Sequence, residues 1–187
     1  MSKSAAHRIA NIVPVSLQSA TTVIAGVALL TLSAKIQVPF WPVPLNLQSM
    51  AVMGLALGLG PRLAVASFAA YLATGAAGLP VFAGSPERGL GLLYIAGPTG
   101  GYLIGMLAAS WLTGMLGAGR GLIGRTGAML AGMAVIYGLG VAWLALYVPA
   151  SRLLAEGLAP FILGDLLKIG IVAAGASLLS SFRHSAQ

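Results

Sequence analysis

Apolar residues in this chain run in long blocks, and charges sit at the block edges. No Asp, Glu, Lys or Arg occurs in 9–34, 36–61, 63–86, 89–119 or 126–151. A sixth block, 157–182, is interrupted only by Asp165 and Lys168. A spanning helix needs about 20 mainly apolar residues, so every block is long enough to cross a bilayer. The pattern predicts helices at roughly 15–34, 45–60, 63–79, 92–117, 126–148 and 158–181. Helix breakers fall between them. Pro39, Pro42 and Pro44 separate the first two, because each removes a backbone donor and fixes φ. Gly60-Pro61-Arg62 is a tight turn into the third. Gly78-Leu79-Pro80 ends that helix and opens a loop that runs to Leu90. Gly117 to Gly124 is a flexible basic loop, and Val148 to Gly157 joins the last two helices. The expected fold is all-α, a polytopic membrane protein built as a bundle of six transmembrane helices. It forms a single domain over 1–187, with short cytoplasmic tails at about 1–14 and 182–187.

Composition agrees with lipid as the solvent. The chain is 58% hydrophobic and 7% charged, against about 25% charged in a typical soluble domain. Its mean hydropathy is +0.96. The net charge of +7 does not indicate nucleic acid, because the basic residues stand singly between apolar blocks and form no stripe that tracks phosphates. Lys3 and Arg8 precede an apolar run, as in a signal peptide. The run 9–34 is too long for an h-region, so it reads as a first transmembrane helix. With no cysteine, disulfides, thiolate metal sites and a cysteine nucleophile are excluded.

Positive residues set the expected orientation. With a cytoplasmic N-terminus, the inside carries Lys3, Arg8, Arg62, Arg120, Arg125 and Arg183, and the outside Lys35, Arg88 and Arg152. That bias favours both termini inside. Glu87 and Glu156 then lie outside, beside Arg88 and Arg152.

Many of the 26 glycines fall within predicted helices. Gly54-xxx-Gly58 and Gly101-xxx-Gly105 form small-residue faces that let helices approach closely in lipid. No internal repeat of the inverted-transporter kind is evident.

Asp165 and Lys168 are the first candidates for chemistry. Three apart, they share a helix face. Counted from Ala159 they lie about 9–14 Å into the helix at 1.5 Å per residue. A charge at such a site costs about 2.5–3.5 kcal/mol on insertion scales. Three readings are open: a salt bridge that orders the bundle, a polar ligand site, or a proton relay. Asn46 and Gln48 put two amides at the outer start of the second helix, for capping or for ligand contact. Tyr71 reads foremost as a packing residue and is carried as a ligand-binding candidate, and Arg88 reads as a loop charge or an anchor for an anionic group. Gly97-Pro98-Thr99-Gly100-Gly101-Tyr102 lacks the Gly-Lys-Ser/Thr ending of a phosphate loop, which occurs nowhere in this sequence. It reads instead as a Gly–Pro break in the fourth helix. His7 and His184, the only histidines, stand in the tails, and no second intramembrane acid joins Asp165. A catalytic or metal set is therefore not expected, nor is a cofactor.

Four stretches together resemble the BioY family, the biotin-specific substrate-binding (S) components of energy-coupling factor (ECF) transporters. They are Pro42-Val43-Pro44-Leu45-Asn46-Leu47-Gln48, the run from Tyr71-Leu72-Ala73-Thr74 to Gly78-Leu79-Pro80-Val81-Phe82-Ala83, Gly97-Pro98-Thr99-Gly100-Gly101-Tyr102, and Pro160-Phe161-Ile162-Leu163-Gly164-Asp165-Leu166-Leu167-Lys168. The resemblance implies a six-helix component that binds biotin near the outer face. It implies that the shared ECF transmembrane subunit and ATP-binding subunits drive import. The family's Gly-Asp-x-x-Lys motif falls on Gly164, Asp165 and Lys168. Asp165 would accept from a ureido N–H, and Lys168 would donate to the carbonyl or the carboxylate. Trp41, Phe82, Tyr94 and Phe161 are candidates for the ring's apolar wall. This chain has Asn46 where the family commonly has Thr. Its first helix offers only Thr21-xxx-Ala25 and Thr22-xxx-Gly26 where S components dock on small-residue faces. A stand-alone proton-coupled carrier and a non-transporting scaffold are the alternatives.

Overall fold

The computed structural model describes residues 17–38 and 45–185. The helices are α1 (Leu17–Lys35), α2 (Gln48–Ala76), α3 (Gly91–Ile95), α4 (Gly100–Gly117), α5 (Leu122–Leu144), α6 (Ala150–Gly157) and α7 (Ala159–Ser185). Two-residue strands β1 (Gln37–Val38) and β2 (Leu45–Asn46) pair antiparallel, with Gln37 opposite Asn46. The second helix therefore begins at Gln48, three residues later than expected.

α2 is continuous by hydrogen bonding but holds two helices. Gly60 has φ 77° and ψ 172°, a region that is essentially glycine-only. Pro61, lacking an N–H, starts the next helix. The halves fold back on each other, because Gln48 near one end hydrogen-bonds Tyr71 near the other at 3.2 Å. The two helices expected around Gly60-Pro61-Arg62 are thus present, on a sharper turn than expected. With α2 counted as two, six long helices form the bundle. Among the described residues, four helices are long and apolar enough to cross a membrane: α1, α2, α5 and the run Ala150–Gly175 through α6 into α7. This is an all-α membrane protein.

The fourth helix departs from expectation. It is split into α3 and α4 by Ala96–Thr99. Pro98 removes a donor there, and the freed carbonyls find partners on the last turn of α5 and just beyond it. The Trp143 indole donates to the Gly97 carbonyl at 3.0 Å, and the Tyr147 hydroxyl donates to that of Ala96. The joint before the last helix, expected as a connection, holds the short amphipathic helix α6. Its Arg152 and Glu156 pair at 3.2 Å.

Two apolar cores share α2 and α4. One packs Leu30, Phe68, Tyr71, Phe82 and Leu103 between α1, α2, α4 and the loop after α2. The other packs Met53, Ala109, Met129, Ile136 and Ile169 between α2, α4, α5 and α7. The Gly101–Gly105 face packs on α5 as expected. A Cβ on Gly105 would stand 2.8 Å from the Ile136 Cα. The Gly54–Gly58 face does not pack: nothing lies within 4 Å of a Cβ at either position. Its expected role in helix packing within this chain is corrected.

Candidate functional site

One end of the bundle gathers the starts of α2, α4 and α7 with the ends of α1 and α5. A cavity of about 330 Å³ opens there. Ligand sites commonly occupy about 300–1,000 Å³. One wall is polar: Asn46 on β2, Gln48 and Ser49 at the start of α2, and Tyr137, Asp165 and Lys168 from α5 and α7. Leu103, Met106, Met133, Ile136 and Phe161 supply the apolar wall. Gln37, Arg88 and Glu156 stand at the rim.

Asp165 and Lys168 meet on α7 because a helix brings residues three apart onto one face. The Lys168 Nζ donates to the Asp165 Oδ1 at 2.7 Å. Ser49 Oγ donates to the same oxygen at 2.7 Å and lies 3.2 Å from the Lys168 Nζ, from which it accepts. The Tyr137 hydroxyl donates to Oδ2. Asp165 and Lys168 are each 7% exposed. A charge that far from water needs a paired and hydrogen-bonded partner, and each has one. The carboxylate keeps acceptor capacity on Oδ2, and the ammonium keeps one of its three donors. The pair is formed yet not saturated, so it is able to accept from one N–H and donate to one oxygen of a bound molecule.

The rim is built by the loop after α2. Phe82 wedges into a notch left by Gly75, where a Cβ would lie 2.0 Å from the ring. Its ring stacks on Tyr94 at 4.7 Å and meets Tyr71 edge-on at 5.4 Å. Tyr71 donates to the Val81 carbonyl at 3.1 Å, and Tyr94 donates to that of Ala83 at 2.6 Å. Gly84, with φ 71°, lets Arg88 fold back across it. Ala83, Gly84 and Arg88 thereby face the cavity.

The BioY family profile matches residues 3–184. The chain belongs to the BioY family. It is 42% identical over 142 residues to the "Probable biotin transporter BioY" of Pyrococcus horikoshii, covering 76% of this chain and 83% of that protein. It is 36% identical over 148 residues to the "Biotin transporter BioY" of Thermotoga maritima, covering 78% and 86%. Its fold is similar to a crystal structure of the S-component for biotin from an ECF-type ABC transporter. The TM-score is 0.74 with 27% identity, over 88% of this chain and 92% of that one.

In this BioY chain the expected site residues fall into three groups. Asp165, Lys168, Asn46, Gln48 and Arg88 line the one cavity described above, as do Tyr94 and Phe161. Tyr71 and Phe82, expected at the ligand, are fully buried behind the wall and hold the loop that forms the rim. Gly164 is buried on α7 without lining the cavity. Trp41 lies outside the described residues. Ser49 and Tyr137 were not expected. Ser49 adjoins the Asn46–Gln48 stretch, and Tyr137 is a phenol deep in an apolar block. Neither a serine nor a tyrosine in such a block is costly enough to mark itself.

Proposed function

We propose that this chain is the membrane-embedded biotin-binding component of an ECF-type uptake transporter. It captures the vitamin from the outer side, and partner subunits supply ATP-driven import. It is a transport component and not an enzyme. The observation that carries the reading is the buried Asp165–Lys168 pair lining a ligand-sized cavity. Family membership supplies the ligand class.

The chemistry fits. Biotin carries ureido N–H donors and a carbonyl at one end, an apolar bicycle, and a carboxylate at the other end. The ureido end enters first. Asp165 accepts an N–H on Oδ2, and Lys168 donates to the carbonyl. Met106, Met133 and Phe161 flank the bicycle. The carboxylate reaches the rim, where Arg88 carries the complementary charge. The partners are the shared ECF transmembrane subunit and the ATP-binding subunits, consistent with a sequence that has no nucleotide loop. The site is a bacterial plasma membrane with both termini cytoplasmic and the cavity opening outward.

Equilibrium binding of biotin to the detergent-purified protein tests the reading. The double variant Asp165→Asn/Lys168→Met removes both charges together, so no lone buried charge remains. Binding weakened at least a hundredfold in a protein that still unfolds cooperatively is the expected result. Undiminished affinity would remove the site and leave the pair as a bundle-ordering salt bridge.

A further inference from the structure

We propose that Lys35 is a positioning residue that holds the outer half of the 81–89 loop, and with it Arg88, over the cavity. The inference rests on the biotin-binding reading for its ligand. Lys35 is the last residue of α1. Its ammonium donates to the Ser85 carbonyl at 2.5 Å and to the Ser85 Oγ at 3.0 Å. That reach joins α1 to a loop 50 residues further along the chain.

Ser85 is the centre of this loop. It is buried, and its Oγ donates to the Phe82 carbonyl at 2.7 Å. The next turn is built on its neighbour, because the Arg88 N–H donates to the Gly84 carbonyl at 2.8 Å. Ser85 thus stands between the cavity-facing residues Gly84 and Arg88. The inner half of the loop has other anchors: Tyr71 on Val81, Tyr94 on Ala83, and the Phe82 wedge. Those three end at residue 83. Beyond it, among the described contacts, Lys35 is the side chain of another element that holds the loop. An ammonium bonded to a carbonyl and a hydroxyl is a charge-assisted contact, stronger than a neutral one.

Loss of this contact leaves the ureido end of the site intact and loosens the rim. Its signature is faster release of ligand with little change in association. In Lys35→Met, biotin dissociation measured by chase from the purified full-length protein is expected to rise about fivefold, because the contact reaches the ligand only through the loop and only a part of its strength, about 1 kcal/mol, is felt there. Lys35→Arg keeps a charged donor and is expected to release within about twofold of the parent. A second readout needs no ligand. Arg88 is exposed, so trypsin cleavage after Arg88 in ligand-free protein reports loop opening. It is expected to quicken in Lys35→Met and to stay at the parent rate in Asp165→Asn/Lys168→Met. Parent-like release and cleavage in Lys35→Met overturn the proposal. So does equal acceleration in Lys35→Met and Lys35→Arg. If the parent protein binds no biotin, the functional reading fails, and the cleavage comparison still decides the role of Lys35.

Discussion

The Asp165 carboxylate collects three donors from three helices: Ser49 on α2, Tyr137 on α5 and Lys168 on α7. Each fixes the carboxylate in a different direction, so removing one has a separable effect. Tyr137→Phe deletes the donor on Oδ2, the oxygen that faces a ligand N–H. A hydrogen bond to a charged group contributes about 1.5–3 kcal/mol. Biotin affinity by equilibrium binding should therefore fall about tenfold or more, with cooperative unfolding retained. Parent-like affinity would show that Tyr137 only packs. Lys168→Met alone acts differently, because it strands a buried carboxylate. That typically costs about 3–5 kcal/mol, so the single variant should unfold at a lower temperature than the double variant with Asp165→Asn. The ionic half of this site was legible in the sequence, since two charges in an apolar block have no cheap explanation. The neutral half was not. A serine or a tyrosine pays little to sit in a helix bundle, so Ser49 and Tyr137 looked like any packing hydroxyl. Bulk misled in the other direction: Phe82 suited a ligand wall on the sequence, but its ring fills the Gly75 notch.

At the scale of elements, glycines act in two unlike ways. Gly60 is conformational: its dihedrals turn α2 back on itself. Gly60→Ala should destabilise by about 1–3 kcal/mol, read as a lower unfolding temperature in detergent. Gly105 is steric: α5 backbone lies 2.8 Å from where a Cβ would stand. Gly105→Ala forces α4 and α5 apart and should cost about 1–3 kcal/mol, as overpacking does. Gly58→Ala, with nothing within 4 Å, is the matched control and should leave stability unchanged. If Gly58→Ala proved as damaging as Gly105→Ala, the assignment of packing faces would be wrong. The spans themselves were readable because charge-free length is a one-dimensional property. Which glycine stripe meets a helix and which meets lipid is not, since the same spacing serves both. The split of the fourth helix was half readable. Gly97-Pro98 announced a break, but the partners that stabilise it, Trp143 at the end of α5 and Tyr147 just beyond, come from 46 and 51 residues away.

For the whole molecule, orientation decides whether the cavity is able to serve capture at all. The rim residues Gln37, Arg88 and Glu156 stand at the end where α1 finishes and α7 starts. Arg62 and Arg120 belong to the opposite end, at the α2 turn and the α4–α5 connection. The positive-inside bias is a rule about short loops, and the proposed orientation follows it, with the more basic end cytoplasmic and the cavity mouth outside. A chain with no cysteine makes this testable without background. Single cysteines at Glu87 and Ala118 are both exposed positions on opposite ends. A membrane-impermeant maleimide added to intact cells, or to spheroplasts where an outer membrane intervenes, should label Glu87→Cys and spare Ala118→Cys until the cells are broken. The reversed pattern would turn the cavity mouth toward the cytoplasm, and no rearrangement of the Asp165–Lys168 site would then let it take a ligand directly from outside. Saturating biotin adds a second dimension to the same experiment. A ligand seated beneath Arg88 should slow labelling at position 87 without touching position 118, which ties the sidedness of the molecule to the loop that closes its site.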